Sequence, residues 1–230
     1  MVSNQRVIAL IPARAGSKRL VNKNLLDLCG KPLIAWSIQS ALESTSITDV
    51  IVSTDSGAIK SVAENFGAKV PFIRPDYLSS DIASTDDVIL HSIEELSLSE
   101  SDIVVLLQPT SPLRNSDDID SAIKGLSDED IMGTVSVCEC EHSPLWSNTL
   151  SDENLMDSFI SDDLVTKRSQ DLPTYYRLNG AIYAYRVSFF LKHKKRIYSK
   201  EIKATIMPVE RSVDIDNVID FKLAECLMKD

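Results

Sequence analysis

Short apolar runs alternate with amphipathic stretches along almost the whole chain, and this alternation excludes most architectures. Val7–Ile11 is an apolar run closed by Pro12, the pattern of a strand buried on both faces. Pro32 then opens a stretch in which Ile34, Ile38, Ala41 and Leu42 share one helical face. Val50–Ser53 reads as a strand, followed by Asp55 or Ser56 as cap and a helix ended by Gly67. A third helix is expected from Ser84 or Thr85, and Ile103–Leu107, the most apolar run, as the central strand. Further on, 117–126 and 216–228 read as helices, and 134–137 and 181–186 as strands. Such alternation predicts one α/β domain over 1–230 with a doubly wound, mostly parallel sheet. Between 141 and 177 the periodicity fades, and this excursion is expected to be an arm that packs on a second subunit.

The 230 residues, 43% of them hydrophobic, suffice for a full core without disulfides. A net charge of −10 argues against nucleic acid or an anionic membrane as partner. An anionic ligand must therefore be met by a local cluster of Arg and Lys. The four cysteines lack zinc or redox spacing, as expected of reduced thiols in a cytoplasmic protein. Met1–Arg6 is polar, so no signal peptide is expected, and no run approaches the about 20 apolar residues of a membrane span.

In an open α/β sheet, ligands bind beyond the carboxyl ends of the strands, so the segments after the strands carry the chemistry. After the first strand comes Ala13-Arg-Ala-Gly-Ser-Lys-Arg19, then Lys23-Asn24. Small residues let backbone N–H groups approach an anion, and cationic side chains surround them, an arrangement suited to a triphosphate. Neither the P-loop nor the G-x-G-x-x-G spacing is present. The bland alternative is a solvated basic loop.

Gln108 ends the central strand, in the middle of the expected crevice, and its amide both donates and accepts. Its alternative role is to tie down the proline-rich segment 109–114. Asp214 and Asp216 lie two apart before the last helix, so in extended backbone both carboxylates meet one hard cation. Alternatively, Asp216 caps that helix. The three histidines show no spacing for a triad or a zinc site.

Ile11-Pro-Ala-Arg-Ala-Gly-Ser-Lys18 with Lys23-Asn24 resembles the nucleotide loop of the CMP-N-acylneuraminate synthetases (acylneuraminate cytidylyltransferases). Further matches follow in order: Val52-Ser-Thr-Asp55, Arg74-Pro75 with Ser80-Asp81, Leu106-Leu-Gln-Pro-Thr-Ser-Pro-Leu-Arg114, Arg177 with Asn179-Gly-Ala-Ile-Tyr183, and Asp214-Ile-Asp216. Each piece is modestly specific, but the ordered set is highly so.

The resemblance implies a Rossmann-like nucleotidyltransferase fold, a homodimer, and transfer of CMP from CTP to the anomeric 2-hydroxyl of a nine-carbon acidic sugar. By it, Arg14, Lys18 and Lys23 hold the phosphates along the Ala15-Gly16-Ser17 backbone, and Asn24 holds the ribose. Arg74, Ser84 and Thr85 line the cytosine site, although one of the two hydroxyls also suits a helix cap. Gln108, Arg168, Arg177 and Asn179 face the sugar, with Tyr183 as an apolar wall or simply a core residue. Asp214 and Asp216 bind Mg²⁺ and, with Arg14, Lys18 and Lys23, form the catalytic set. The rivals are CMP activation of an eight-carbon acidic sugar and, more remotely, a nucleotide-sugar glycosyltransferase. The chain departs from the family pattern at Val21, where proline is common, and at Trp146, where some members carry a lysine that reaches a partner's active site.

Overall fold

A computed structural model of the chain describes residues 5–17, 19–80, 82–157 and 159–229. Six strands form one sheet: β1 (Val7–Pro12), β4 (Asp49–Ser53), β5 (Ile103–Leu107), β6 (Gly133–Glu139), β7 (Tyr176–Arg186) and β8 (Ile202–Ile206). Their spatial order is β4-β1-β5-β7-β6-β8. Strand β1 runs parallel to β4 and β5, and β6 parallel to β8, while β7 is antiparallel to both its neighbours. A small hairpin, β2 (Asp27–Leu28) with β3 (Lys31–Pro32), stands apart.

Alternation along the central strands builds two cores. Val7, Ala9 and Ile11 of β1 and Val105 and Leu107 of β5 face one way, onto α1 (Leu33–Glu43), α2 (Gly57–Asn65) and α4 (Ser116–Lys124). Ile8, Leu10, Val104 and Leu106 face the other way, onto α3 (Thr85–Glu95) and α6 (Val187–His193). Each fully buried Leu or Ile contributes roughly 1.5–3 kcal/mol of transfer free energy, which is why the central strands read as unbroken apolar runs. The last helix, α7 (Val218–Lys229), covers a smaller cluster around Leu28, Leu33 and Ile215.

Between β6 and β7 the chain leaves the sheet. It forms a 3₁₀ turn at Pro144–Trp146, one helical turn, α5 (Asp162–Val165), and a second 3₁₀ turn at Ser169–Asp171. Most of its described side chains are exposed. Strand β7 begins earlier than the periodicity suggests, so Arg177 and Asn179 belong to the sheet. Between its pairing with Val137 and with Val135, β7 bulges outward, with Gly180 at φ +75°. Ser136 fills the gap, its hydroxyl accepting from Ile182 N (2.8 Å) and donating to the Asn179 side-chain oxygen (2.6 Å).

Candidate active site

A crevice of about 520 Å³ opens beyond the carboxyl ends of β1 and β5. Its walls come from four connections: Pro12–Asn24 after β1, Arg74–Thr85 before and into α3, Gln108–Thr110 after β5, and Asp216 ahead of α7.

The loop after β1 is tied down at its backbone by two side chains. Ala15 N donates to Asp55 Oδ1 (3.0 Å), and the buried Asn24 donates its amide to the Arg14 carbonyl (3.1 Å). Arg14 reaches across to the Ser79 carbonyl (3.4 Å). Ser17, Lys23 and Asn24 line the crevice, Ala15 faces a smaller cavity beside it, and the space above Gly16 is open. Lys18 lies outside the described residues. Lys23 Nζ donates to the Ile215 carbonyl (2.6 Å) and stands 3.6 Å from Asp216 Oδ1. Arg19 donates to the other oxygen of Asp216 (3.0 Å).

Opposite, Arg74 is only 4% exposed, and its Nε and Nη2 have no hydrogen-bond partner among the described residues. Burial lowers the pKa of its guanidinium; Asp55 opposes the shift and Arg14 adds to it. A buried donor without an acceptor is costly, so this side chain is built to meet one on a ligand. Ser84 is the α3 cap, accepting from Asp87 N (3.1 Å), while Thr85 starts the helix at the crevice wall.

At the far end, the β7 bulge brings Gly180 against Gln108 and Asp214. A Cβ there would stand 3.2 Å from Gln108 Oε1 and 3.6 Å from Asp214 Oδ2, which a glycine avoids. Ile215 N donates to the Thr110 carbonyl (2.8 Å), tying the acidic segment to the loop after β5. Asp214 is exposed to water yet has protein on several sides. Burial raises its pKa; the Thr110 hydroxyl opposes that, and the charge of Asp216 adds to it. Asp216 does not cap α7. Asn217 does, accepting from Ile219 N (2.7 Å) and Asp220 N (3.3 Å), so the Asp216 carboxylate faces Arg19 and Lys23 instead of the helix.

No cage of three or more His, Cys, Asp or Glu side chains occurs among the described residues. Two carboxylates completed by substrate phosphates are nevertheless a normal donor set for Mg²⁺. Burial and, less so, the charge of Asp216 disfavour the charged form of Asp214, and a cation bound there would offset both.

The family model for cytidylyltransferases matches residues 8–227. The chain belongs to the cytidylyltransferase family. It is 38% identical over 232 residues to a CMP-N,N'-diacetyllegionaminic acid synthase of Legionella pneumophila, covering 97% of each chain. It is also 38% identical to an N-acylneuraminate cytidylyltransferase of Escherichia coli, covering 95% of this chain but 51% of that protein, about half its length. In fold it is similar to a CMP:2-keto-3-deoxy-manno-octonic acid synthetase solved with CTP, with a TM-score of 0.74, 20% identity, and 98% and 99% of the two chains covered.

Ala15, Gly16 and Asp214 lie next to lining residues without lining the crevice themselves, and four further sequence-derived positions of the cytidylyltransferase are engaged elsewhere. Arg168 is exposed on the excursion, where its backbone N–H binds Asp171. Arg177 is engaged by Glu141 through two bonds (3.1 and 2.6 Å), which raise its pKa. Asn179, 2% exposed, spends its amide on Ser136, Ser212, Met207 and Ala181 N, so it fixes the β7 bulge. Tyr183 is 6% exposed and packs in the second core.

The sequence reading assigned no role to Arg114. It is fully buried, and Nη1 donates to the carbonyls of Ala181 (2.9 Å) and Gln108 (3.3 Å), Nη2 to the Ser37 hydroxyl (2.6 Å). Burial lowers its pKa to about 10, with Asp118 opposing. It therefore sets the backbone under Gln108. The available signal was a charged residue closing a proline-rich segment directly after the most buried strand.

Proposed function

We propose that this cytidylyltransferase joins CMP from CTP to the anomeric 2-hydroxyl of a nine-carbon acidic sugar, releasing pyrophosphate. The observation that carries the reading is one crevice lined by Arg74, whose Nε and Nη2 have no partner among the described residues, by Arg14 and Lys23, and by Gln108 and Asp216. In this reaction the sugar oxygen bonds to the α-phosphorus while the bond to the bridging oxygen of pyrophosphate breaks, and the hydroxyl proton is lost. The work is positioning and charge neutralisation.

Arg74 donates to the acceptor edge of cytosine, with Ser84 and Thr85 beside it. Arg14, Ser17 and Lys23 follow the phosphates, joined by Lys18, and Asn24 holds the ribose side of the loop. Gln108 meets the sugar hydroxyls. Asp214 and Asp216 hold a divalent cation, for which Mg²⁺ is the natural choice, and when bound it supplies charge neutralisation at the phosphates.

The 141–177 excursion carries exposed Leu150, Leu155, Met156 and Val165, in keeping with an arm that pairs two copies in a homodimer and presents Arg168 to a sugar near Arg177 at the start of β7. Among the described residues, no helix is long and apolar enough to cross a membrane. With CTP as a substrate, a cytoplasmic setting is proposed.

The test is pyrophosphate release from CTP and Mg²⁺ with a panel of acidic sugars. Release with nine-carbon acids is expected; release only with an eight-carbon acid, or with none, overturns the reading.

A further inference from the structure

The segment that carries Asp214 and Asp216 joins β8 to α7, and it leaves the sheet after Met207, whose N–H donates to the Val137 carbonyl (2.8 Å). No strand ladder locates it from there, so side chains must. Past Asp214, Ile215 N donates to the Thr110 carbonyl (2.8 Å). Ahead of Asp214, two neighbouring residues are anchored on different layers of the fold. Ser212, 1% exposed, accepts from the Asn179 amide (2.9 Å) and donates to the Pro208 carbonyl (2.7 Å). Arg211 reaches to α4, where its Nε donates to Asp118 Oδ2 (2.9 Å) and its Nη2 to Asp118 Oδ1 (2.9 Å).

We infer that Arg211, forked on Asp118, is a positioning residue for the reaction: the pair fixes where Asp214 stands relative to Gln108.

Asp118 suits this role because it is itself fixed. Its side chain is 7% exposed and belongs to the capping box of α4: Asn115 N donates to Asp118 Oδ2 (3.2 Å), and Asp118 N donates to Asn115 Oδ1 (3.0 Å). A two-bond fork between a planar guanidinium and a carboxylate sets direction as well as distance, which a point charge does not. The cap follows directly on Arg114, which donates to the Gln108 carbonyl, and the charge of Asp118 acts on Arg114 as well. One carboxylate is thus the reference for both halves of the far end of the crevice. Through Arg114 it is tied to the backbone of Gln108, and through Arg211 to the acidic segment. The halves meet at Gly180, where a Cβ would stand 3.2 Å from Gln108 Oε1 and 3.6 Å from Asp214 Oδ2. Arg211 does not line the crevice, so its part is played through Asp214 and not by contact with a ligand there.

This role rests on the proposed cytidylyltransferase reaction with an acidic sugar. It is tested with Arg211→Met and Arg211→Lys, the second keeping a charge for Asp118 without the fork. Pyrophosphate release gives kcat and KM, and amide hydrogen exchange at Ile215 is followed on the protein without ligands. Arg211→Met is expected to lower kcat about 10- to 100-fold, the range for partners that orient a ligating side chain, with KM for CTP within about threefold. Exchange at Ile215 is expected to quicken about tenfold while the amides of β1 and β5 keep the parental rate. Arg211→Lys is expected to fall between the two in both measurements, and where Arg211→Met does not fold the lysine variant carries the same test. Parental kcat in the variants overturns the inference, as does a rise in KM for CTP in place of the fall in kcat. So does a fall in kcat with Ile215 exchange unchanged, or with exchange quickened alike in β1 and β5, the sign of general destabilisation. In each of these cases parental activity leaves the reaction standing. A parent protein inert with CTP and every acidic sugar overturns both, whatever the exchange at Ile215.

Discussion

Lys23 Nζ stands 3.6 Å from Asp216 Oδ1, joining the loop after the first strand to the acidic segment before the last helix. Each compensates the other's charge until a nucleotide enters, whose phosphates draw on the same lysine. Lys23→Met is accordingly expected to weaken CTP binding and lower kcat/KM by about 10- to 100-fold, the worth of one charge-assisted hydrogen bond. Calorimetric titration with CTP, alongside pyrophosphate release, checks this; an unaltered CTP affinity contradicts it.

Asp214→Asn should abolish divalent-dependent turnover and leave the fold intact. The charge it removes is disfavoured by burial and by Asp216, so the variant is expected to melt no lower than the parent without CTP. Thermal denaturation with and without Mg²⁺ and CTP reads both halves. Near-normal pyrophosphate release by the variant would sink the assignment of this carboxylate.

Arg74 carries buried donors that nothing among the described residues accepts. Arg74→Met should therefore cost about 10- to 100-fold in CTP affinity while unliganded stability holds or rises. A loss of stability without loss of CTP affinity would make Arg74 a structural residue.

Arg114 sits on two carbonyls and a hydroxyl in the core. Arg114→Met strands those acceptors, at a cost of about 2–3 kcal/mol, or roughly 5–10 °C in melting temperature for a chain of this size. Arg114→Lys, lacking the fork, is not expected to restore it. A variant with parental melting and parental sugar KM would refute its role under Gln108.

Asp120 offers a pH signature. Burial pushes its carboxyl up, but hydrogen bonds from Ser44, Thr45 and Ser46 outweigh this and bring it down to about 2. A folded pKa below the unfolded value of about 3.9 stabilises the fold above that pH, and the contribution fades as pH falls from about 4 towards 2. Discounted for partial solvent screening, it amounts to about 1 kcal/mol. Asp120→Asn should lower stability at neutral pH and flatten the acid limb of urea midpoints in that window; an unchanged limb would refute it.

Much of the fold was legible because the signals are local. The apolar runs of β1 and β5 mark strands covered on both faces, and Ser56 and Ser84 cap helices where their spacing placed them. Strand β8 escaped notice because Ile202–Ile206 is an edge strand with no fully buried residue and no continuous apolar run. The start of β7 was obscured by its bulge, whose pairing runs through the Ser136 side chain instead of the backbone ladder.

The site divides the same way. Placing a small-residue basic loop and a glutamine just beyond buried strands, and an acidic pair before the last helix, needs only the order of elements, and the sequence determined that. It could not rank the arginines. Arg74, Arg114, Arg177 and Arg196 are chemically identical, and what separates them is whether a partner remote in the chain consumes their donors. Glu141 engages Arg177, backbone carbonyls hold Arg114, Asp86 takes one edge of Arg196, and Arg74 keeps two donors unspent. Only the tertiary structure decided this, because the cost of an unpaired guanidinium depends on burial and on acceptors brought near by folding.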